Sequence, residues 1–127
     1  MQTFSSSMAK HNETGNRGEA IAAAYLATLG WEILDRNWRF SRAEIDIIAK
    51  EGKVLVFVEV KTRSTDYFGK PEEFVSLRKE QLMTDAAGVY MEKTGHDWEI
   101  RFDIISVILK GEQHRLEHFR DAFFPLP

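Results

Sequence analysis

Lys53–Arg63 reads Lys-Val-Leu-Val-Phe-Val-Glu-Val-Lys-Thr-Arg, and this stretch decides the fold. In an extended chain Val54, Val56, Val58 and Val60 fall on one face, and Leu55, Phe57, Glu59 and Lys61 on the other. Both faces are apolar as far as Val58, the pattern of a central strand covered on its two sides. The strand then ends in a carboxylate and an ammonium aimed the same way, Glu59 and Lys61, and both charges need a partner or a use. A functional site at the carboxyl end of the strand is the sharper reading. An ordinary charged strand end is the plainer one.

Just upstream, Glu44–Lys50 reads as a second strand, joined to the first by a Glu51-Gly52 turn. Simple alternation puts Ile45 and Ile47 on one face and Asp46 and Ile48 on the other, and hairpin pairing brings Asp46 towards Glu59. Trp31–Phe40 is a further strand, with a bend expected at Asn37. Before it, Glu19–Leu29 is an alanine-rich helix with Gly15 and Gly18 bracketing its start and Gly30 ending it. Glu19 in its first turn favours the positive end of the helix, or reaches a metal or a basic side chain.

Downstream, Ser64–Pro71 is a loop placed to close over the charged strand end. Helical periodicity resumes at Pro71 or Ser76 and runs to Lys93, with Val75, Leu82, Ala86, Val89 and Tyr90 as an apolar stripe and Gly95 as the stop. Trp98–Lys110 and Gln113–Phe119 are two more strands, the last an edge strand, and the tail Asp121–Pro127 is expected to pack down through Phe123 and Phe124. The order helix, three strands, helix, two strands indicates an α/β fold, a mixed sheet with helices against it. A chain of 127 residues with 43% hydrophobic composition supports one core, so residues 17–127 are expected as a single domain behind a flexible, Ser-rich segment at 1–16.

Composition narrows the chemistry. With no cysteine, disulfides and thiolate metal sites are excluded. Runs of aliphatic and aromatic residues such as Val54–Val58 are far short of a membrane span, so a cytoplasmic protein is expected. A net charge of −3 argues against wrapping nucleic acid over the whole surface and leaves room for a local basic cleft. His11, His96, His114 and His118 do not assemble a zinc set. Walker, dinucleotide and nucleophile-elbow patterns are absent, which sets aside ATP-driven chemistry and hydride transfer.

Asp46, Glu59 and Lys61 carry the chemical reading. Two carboxylates suit hard divalent ions such as Mg2+ or Mn2+, which keep bound water that phosphate oxygens can displace. Such an ion activates an attacking water, and Lys61 would position that water or stabilise the developing charge, while the Val60 carbonyl lies between the two side chains. The spacing alone is degenerate, and an ion-pair network capping a sheet edge fits it equally well.

Several stretches together carry a resemblance: Gly15-Asn16-Arg17-Gly18-Glu19, Ala23-Ala24-Tyr25-Leu26, residues 30–37 (Gly-Trp-Glu-Ile-Leu-Asp-Arg-Asn), residues 44–49 (Glu-Ile-Asp-Ile-Ile-Ala), residues 56–63 and Arg101-Phe102-Asp103-Ile104-Ile105. In their order they resemble the small bacterial YraN-like family, one of the uncharacterised protein families. That family looks like a branch of the PD-(D/E)XK, restriction-endonuclease-like superfamily, similar in core layout to archaeal Holliday junction resolvases. The resemblance implies a restriction-endonuclease-like mixed sheet, Asp46 and Glu59 as metal ligands with the Val60 carbonyl, Lys61 as the catalytic lysine and Glu19 as a further acidic site residue. Ala43 departs from the glycine usual in that family before the Glu-Ile-Asp stretch.

The implied activity is divalent-metal-dependent hydrolysis of DNA phosphodiester bonds, at branched or irregular structures, with a homodimer addressing two strands. Arg63, Arg42, Lys79 and Arg39 are the expected phosphate contacts, and Trp38, Tyr67 or Phe68 the residues to stack on an unpaired base. The competing reading is a noncatalytic nucleic-acid-binding or accessory protein that keeps a nuclease-like core.

Overall fold

A strand that is apolar on both faces must be covered on both, and β3 (Val54–Arg63) is the middle strand of a five-stranded sheet. The computed structural model describes residues 6–64 and 75–124. In sheet order β3 is flanked by β2 (Ala43–Glu51) and β1 (Glu32–Phe40) on one side, and by β4 (Ile100–Lys110) and β5 (Gln113–Phe123) on the other. All pairs are antiparallel except β3 with β4, which run parallel. A parallel pair needs a crossover, and α2 (Leu77–Thr94) is the helix within it.

Each face of β3 supplies one core. Leu55 and Phe57 pack with Phe102, Ile104, Met83, Ala86, Ala87 and Tyr90 beneath α2. Val56, Val58 and Val60 pack with Ile105, Val107, Ala22 and Leu26 beneath α1 (Ser6–Thr28). The crossover helix is bounded as its sequence dictates: Ser76 Oγ accepts from the Lys79 amide at 3.2 Å, and Gly95 ends the helix at φ 71°, where glycine carries no Cβ penalty.

The first helix differs from its sequence expectation. It begins at Ser6 rather than Glu19, so residues 6–16, expected as a flexible segment, are helical, and Gly15 and Gly18 lie inside it. Gly18 is there because the helix meets β3 at that point: a Cβ on Gly18 would stand 1.8 Å from Thr62 Oγ1. Gly18→Ala is therefore expected to lower stability by about 1–3 kcal/mol through overpacking. Thr62→Gly in the same chain should recover most of the loss in a urea melt, whereas an unrecovered loss would mean that helix propensity, not this contact, sets the effect.

β5 also runs past its expected end at Phe119, to Phe123, whose ring stacks on Phe102 with centroids 4.8 Å apart. Phe123 thus packs down as expected, whereas Phe124 is exposed. The expected loop at 64–71 lies outside the described residues after Ser64, and with it Tyr67 and Phe68.

Candidate functional site

Strict alternation in β2 predicts that Ile45 and Ile47 share a face, and the structure corrects this. Ile45 and Ile48 belong to the core under α2, and Ile47 and Ala49 to the core under α1. The pattern breaks at Asp46, across from Asn37, which sits at φ 53° between the paired residues Arg36 and Trp38. A left-handed asparagine is a tolerated way to kink an edge strand. The β2–β3 ladder ends at Ile47 opposite Val58, one step before Asp46 would face Glu59. In place of the missing ladder bond, Val60 N–H donates to Asp46 Oδ2 at 2.8 Å.

Where the two strands part, a cleft of about 450 Å³ opens. Asp46 and Glu59 line it together with Arg42, Glu44, Arg78 and Lys79. Glu59 is 4% exposed, and its Oε1 accepts from the Lys79 ammonium. Its other oxygen, Oε2, is buried without a hydrogen-bond donor. Burial, and then the neighbouring Asp46 charge, push the Glu59 carboxyl up to about 8 against the pull of Lys79. Burial also raises Asp46, with the Val60 amide and Lys79 opposing.

Glu19 approaches from α1. Its carboxyl is raised by burial and by Asp46, its Oε1 has no hydrogen-bond partner, and the nearest cation, Arg36, stands 3.9 Å away. The acidic groups from α1, β2 and β3 therefore feel one another. Among the described residues, however, no three side chains gather closely enough to enclose one ion. A hard cation here would rest on Asp46 and Glu59 and complete its shell with water, the usual manner of Mg2+. A buried and a half-buried carboxylate facing one cleft, the buried one with an unsatisfied oxygen, fit such an ion.

The remaining sequence candidates are dispersed. Lys61 and Arg63 follow Glu59 on β3, half-buried, and are not among the described residues lining the cleft. The Val60 backbone is held between Asp46 and β4, where it pairs with Ile105. Arg42 lines the cleft, whereas Arg39 is exposed and pairs with Glu44 at 3.0 Å. Trp38, expected to stack on a base, instead sets its ring against Tyr90 with centroids 5.3 Å apart. Glu44 and the Lys79–Glu59 pair escaped the sequence reading. Glu44 was within reach of it, being two residues from Asp46 on one strand, but a contact between β3 and α2 leaves no local signal.

Residues 18–107 match the model of a family described as "Uncharacterised protein family UPF0102". The chain belongs to the UPF0102 family. It is 47% identical to a UPF0102 protein of Christiangramia forsetii over 117 residues, covering 92% of this chain and 98% of that one. It is likewise 47% identical over 118 residues to one from Bacteroides thetaiotaomicron, with 93% and 98% covered. For one from Rhodococcus jostii the identity is 43% over 118 residues, with 91% and 100% covered. The matched span of this UPF0102 chain holds Glu19, Asp46, Glu59, Lys61 and Lys79, and so all the acidic groups named above. Among the described residues of this UPF0102 chain, no helix is long and apolar enough to cross a membrane.

Proposed function

We propose that this chain is a divalent-metal-dependent nuclease of restriction-endonuclease-like fold that hydrolyses DNA phosphodiester bonds. The observation that carries the reading is Glu59, a buried carboxylate beside Asp46 with one oxygen lacking a donor, in a cleft rimmed by Arg42, Arg78 and Lys79. Repelling carboxylates held out of water are costly, and a cation is the group that relieves that cost.

Asp46 and Glu59 would hold Mg2+ or Mn2+, with the Val60 carbonyl nearby. When bound, the ion supplies an acidified water and neutralises charge on the phosphoryl group. The chain does the rest. Asp46 is oriented by the Val60 amide, which fixes one of its oxygens and would leave the other for the ion. Lys61 stands two residues after Glu59 on β3, at the end of the strand beyond the cleft lining, and its ammonium would reach from there to the attacking water or the developing charge. Arg42 and Arg78 would hold substrate phosphates without reading bases. Branched DNA is the proposed substrate shape, with phosphates rather than base edges as the expected contacts.

A noncatalytic nucleic-acid-binding role is favoured by one observation: Lys79 already supplies Glu59 with a cationic partner. Linear, single-stranded, flap and four-way-junction DNA, incubated with purified protein and Mg2+ or Mn2+, separate the two. The nuclease reading expects metal-dependent cleavage that Lys61→Ala reduces by about 10²–10⁴-fold with cation binding retained. Binding without cleavage by the unaltered protein would replace it with the accessory reading.

A further inference from the structure

Lys79 sits in the first turn of α2, where its amide is bonded to Ser76 Oγ and its backbone is thereby fixed. Its side chain is hinged rather than embedded: 41% of it is exposed, against 5% for the Glu59 side chain it bonds. The pair therefore joins a buried, immobile carboxylate to a long, flexible stem at the mouth of the cleft. One ammonium cannot neutralise both Asp46 and Glu59, and Glu59 Oε2 stays without a donor. A dication does neutralise both, and with it in place the ammonium becomes surplus positive charge at close range. Arg42 and Arg78 line the same cleft and mark where an anion would receive that displaced charge.

We propose that Lys79 is a tethered counter-ion: it holds Glu59 while the cleft lacks a cation, is displaced when a divalent ion enters, and turns to a phosphate of the nucleic acid beside Arg42 and Arg78. The proposal rests on the cation site at Asp46 and Glu59. It gives the site an order of events, in which cation entry switches on a phosphate contact. A fixed structural ion pair between α2 and β3 is the competing account.

The test follows the Lys79 amine directly. Its acylation rate by a soluble succinimidyl ester, read by mass spectrometry, is measured across a Mn2+ titration at fixed pH, with Mn2+ binding followed in parallel by electron paramagnetic resonance. The expected result is a rise in Lys79 reactivity of at least about threefold, with the same midpoint as Mn2+ binding. Lys79→Met should bind Mn2+ about tenfold more tightly, near the low end for losing a charge-assisted hydrogen bond. The same variant should lose the Ca2+-dependent gain in affinity for a short fluorescent oligonucleotide. Mn2+ binding with no change in Lys79 reactivity, or with no gain in Lys79→Met, overturns the switch and leaves the cation site standing. Absence of Mn2+ binding at millimolar concentration overturns the cation site first, and the switch with it.

Discussion

Glu59→Gln is expected to abolish divalent-ion binding and to lower metal-dependent cleavage by about 10³-fold, without loss of stability in cation-free protein. The amide keeps the shape of a side chain that is 4% exposed, but removes the charge that a hard cation needs. Losing one group that fixes transition-state charge costs about 10²–10³ in rate, and here the ion would be lost as well. The amide also removes an acid whose ionisation in the fold, buried beside Asp46, is unfavourable.

The pH dependence carries its own sign. The Glu59 carboxyl rises from an ordinary 4.5 to about 8, so the folded chain holds a proton that the unfolded chain releases. The stability this contributes is complete below about 4.5 and is lost as pH rises through about 8. Urea denaturation of the unaltered protein without metal should show that decline, and both Glu59→Gln and saturating Mg2+ should flatten it. Cleavage that survives in Glu59→Gln would remove Glu59 from the chemistry.

Asp103→Ala is expected to destabilise the fold by about 3–5 kcal/mol, enough to leave folding marginal against a typical total of about 5–15 kcal/mol. Asp103 is fully buried on the α1 face of β4. Arg101 on the same strand donates to it twice, Nε to Oδ1 at 2.7 Å and Nη2 to Oδ2 at 2.9 Å. The Asp121 amide and the His118 ring complete the set, at 3.0 and 2.8 Å. The other ring nitrogen of His118, Nδ1, lies 3.0 Å from the Tyr25 hydroxyl and ties α1 to the edge strand β5. Removing the carboxylate takes two acceptors from a mostly buried Arg101 guanidinium, leaving it Glu51 alone at 2.8 Å, and breaks this chain of bonds.

Burial alone would raise the Asp103 carboxyl, but Arg101, His118 and the Asp121 amide outweigh it and hold it at about 2. Its contribution is therefore present above the ordinary value of 3.8 and is lost as pH falls through about 2. Urea midpoints measured down to that pH should fall for the unaltered protein and change less for Asp103→Asn. A loss below about 1 kcal/mol in Asp103→Ala would show that the network adds no more than a surface pair does.

The two buried carboxylates of the middle strands show what a sequence can and cannot say. Glu59 and Asp103 both stand between apolar neighbours on strands, and sequence left Asp103 open between an ion pair and a catalytic part. The structure separates them by their donors. Asp103 has every oxygen satisfied and an acidic carboxyl, whereas Glu59 has one oxygen without a donor and a carboxyl that resists ionisation. The first is a structural anchor, and the second is the carboxylate that would welcome a cation. They project from opposite faces of the sheet, because Glu59 is in register with Ile104, one residue along from Asp103.

The sequence by itself determined the order of elements, the central place of Lys53–Arg63, the Gly95 end of the crossover helix, and the approach of Asp46 to Glu59. Each is local or follows from period two: a strand apolar on both faces can only be central, and a two-residue turn leaves few registers for a hairpin. Tertiary structure alone decided that Gly18 is a packing contact rather than a helix boundary, that β2 changes face at Asp46, and that Lys79 reaches across to Glu59. These depend on which atoms of distant segments meet, and on a kink shared by two strands, where a single asparagine in a left-handed conformation outweighs simple alternation.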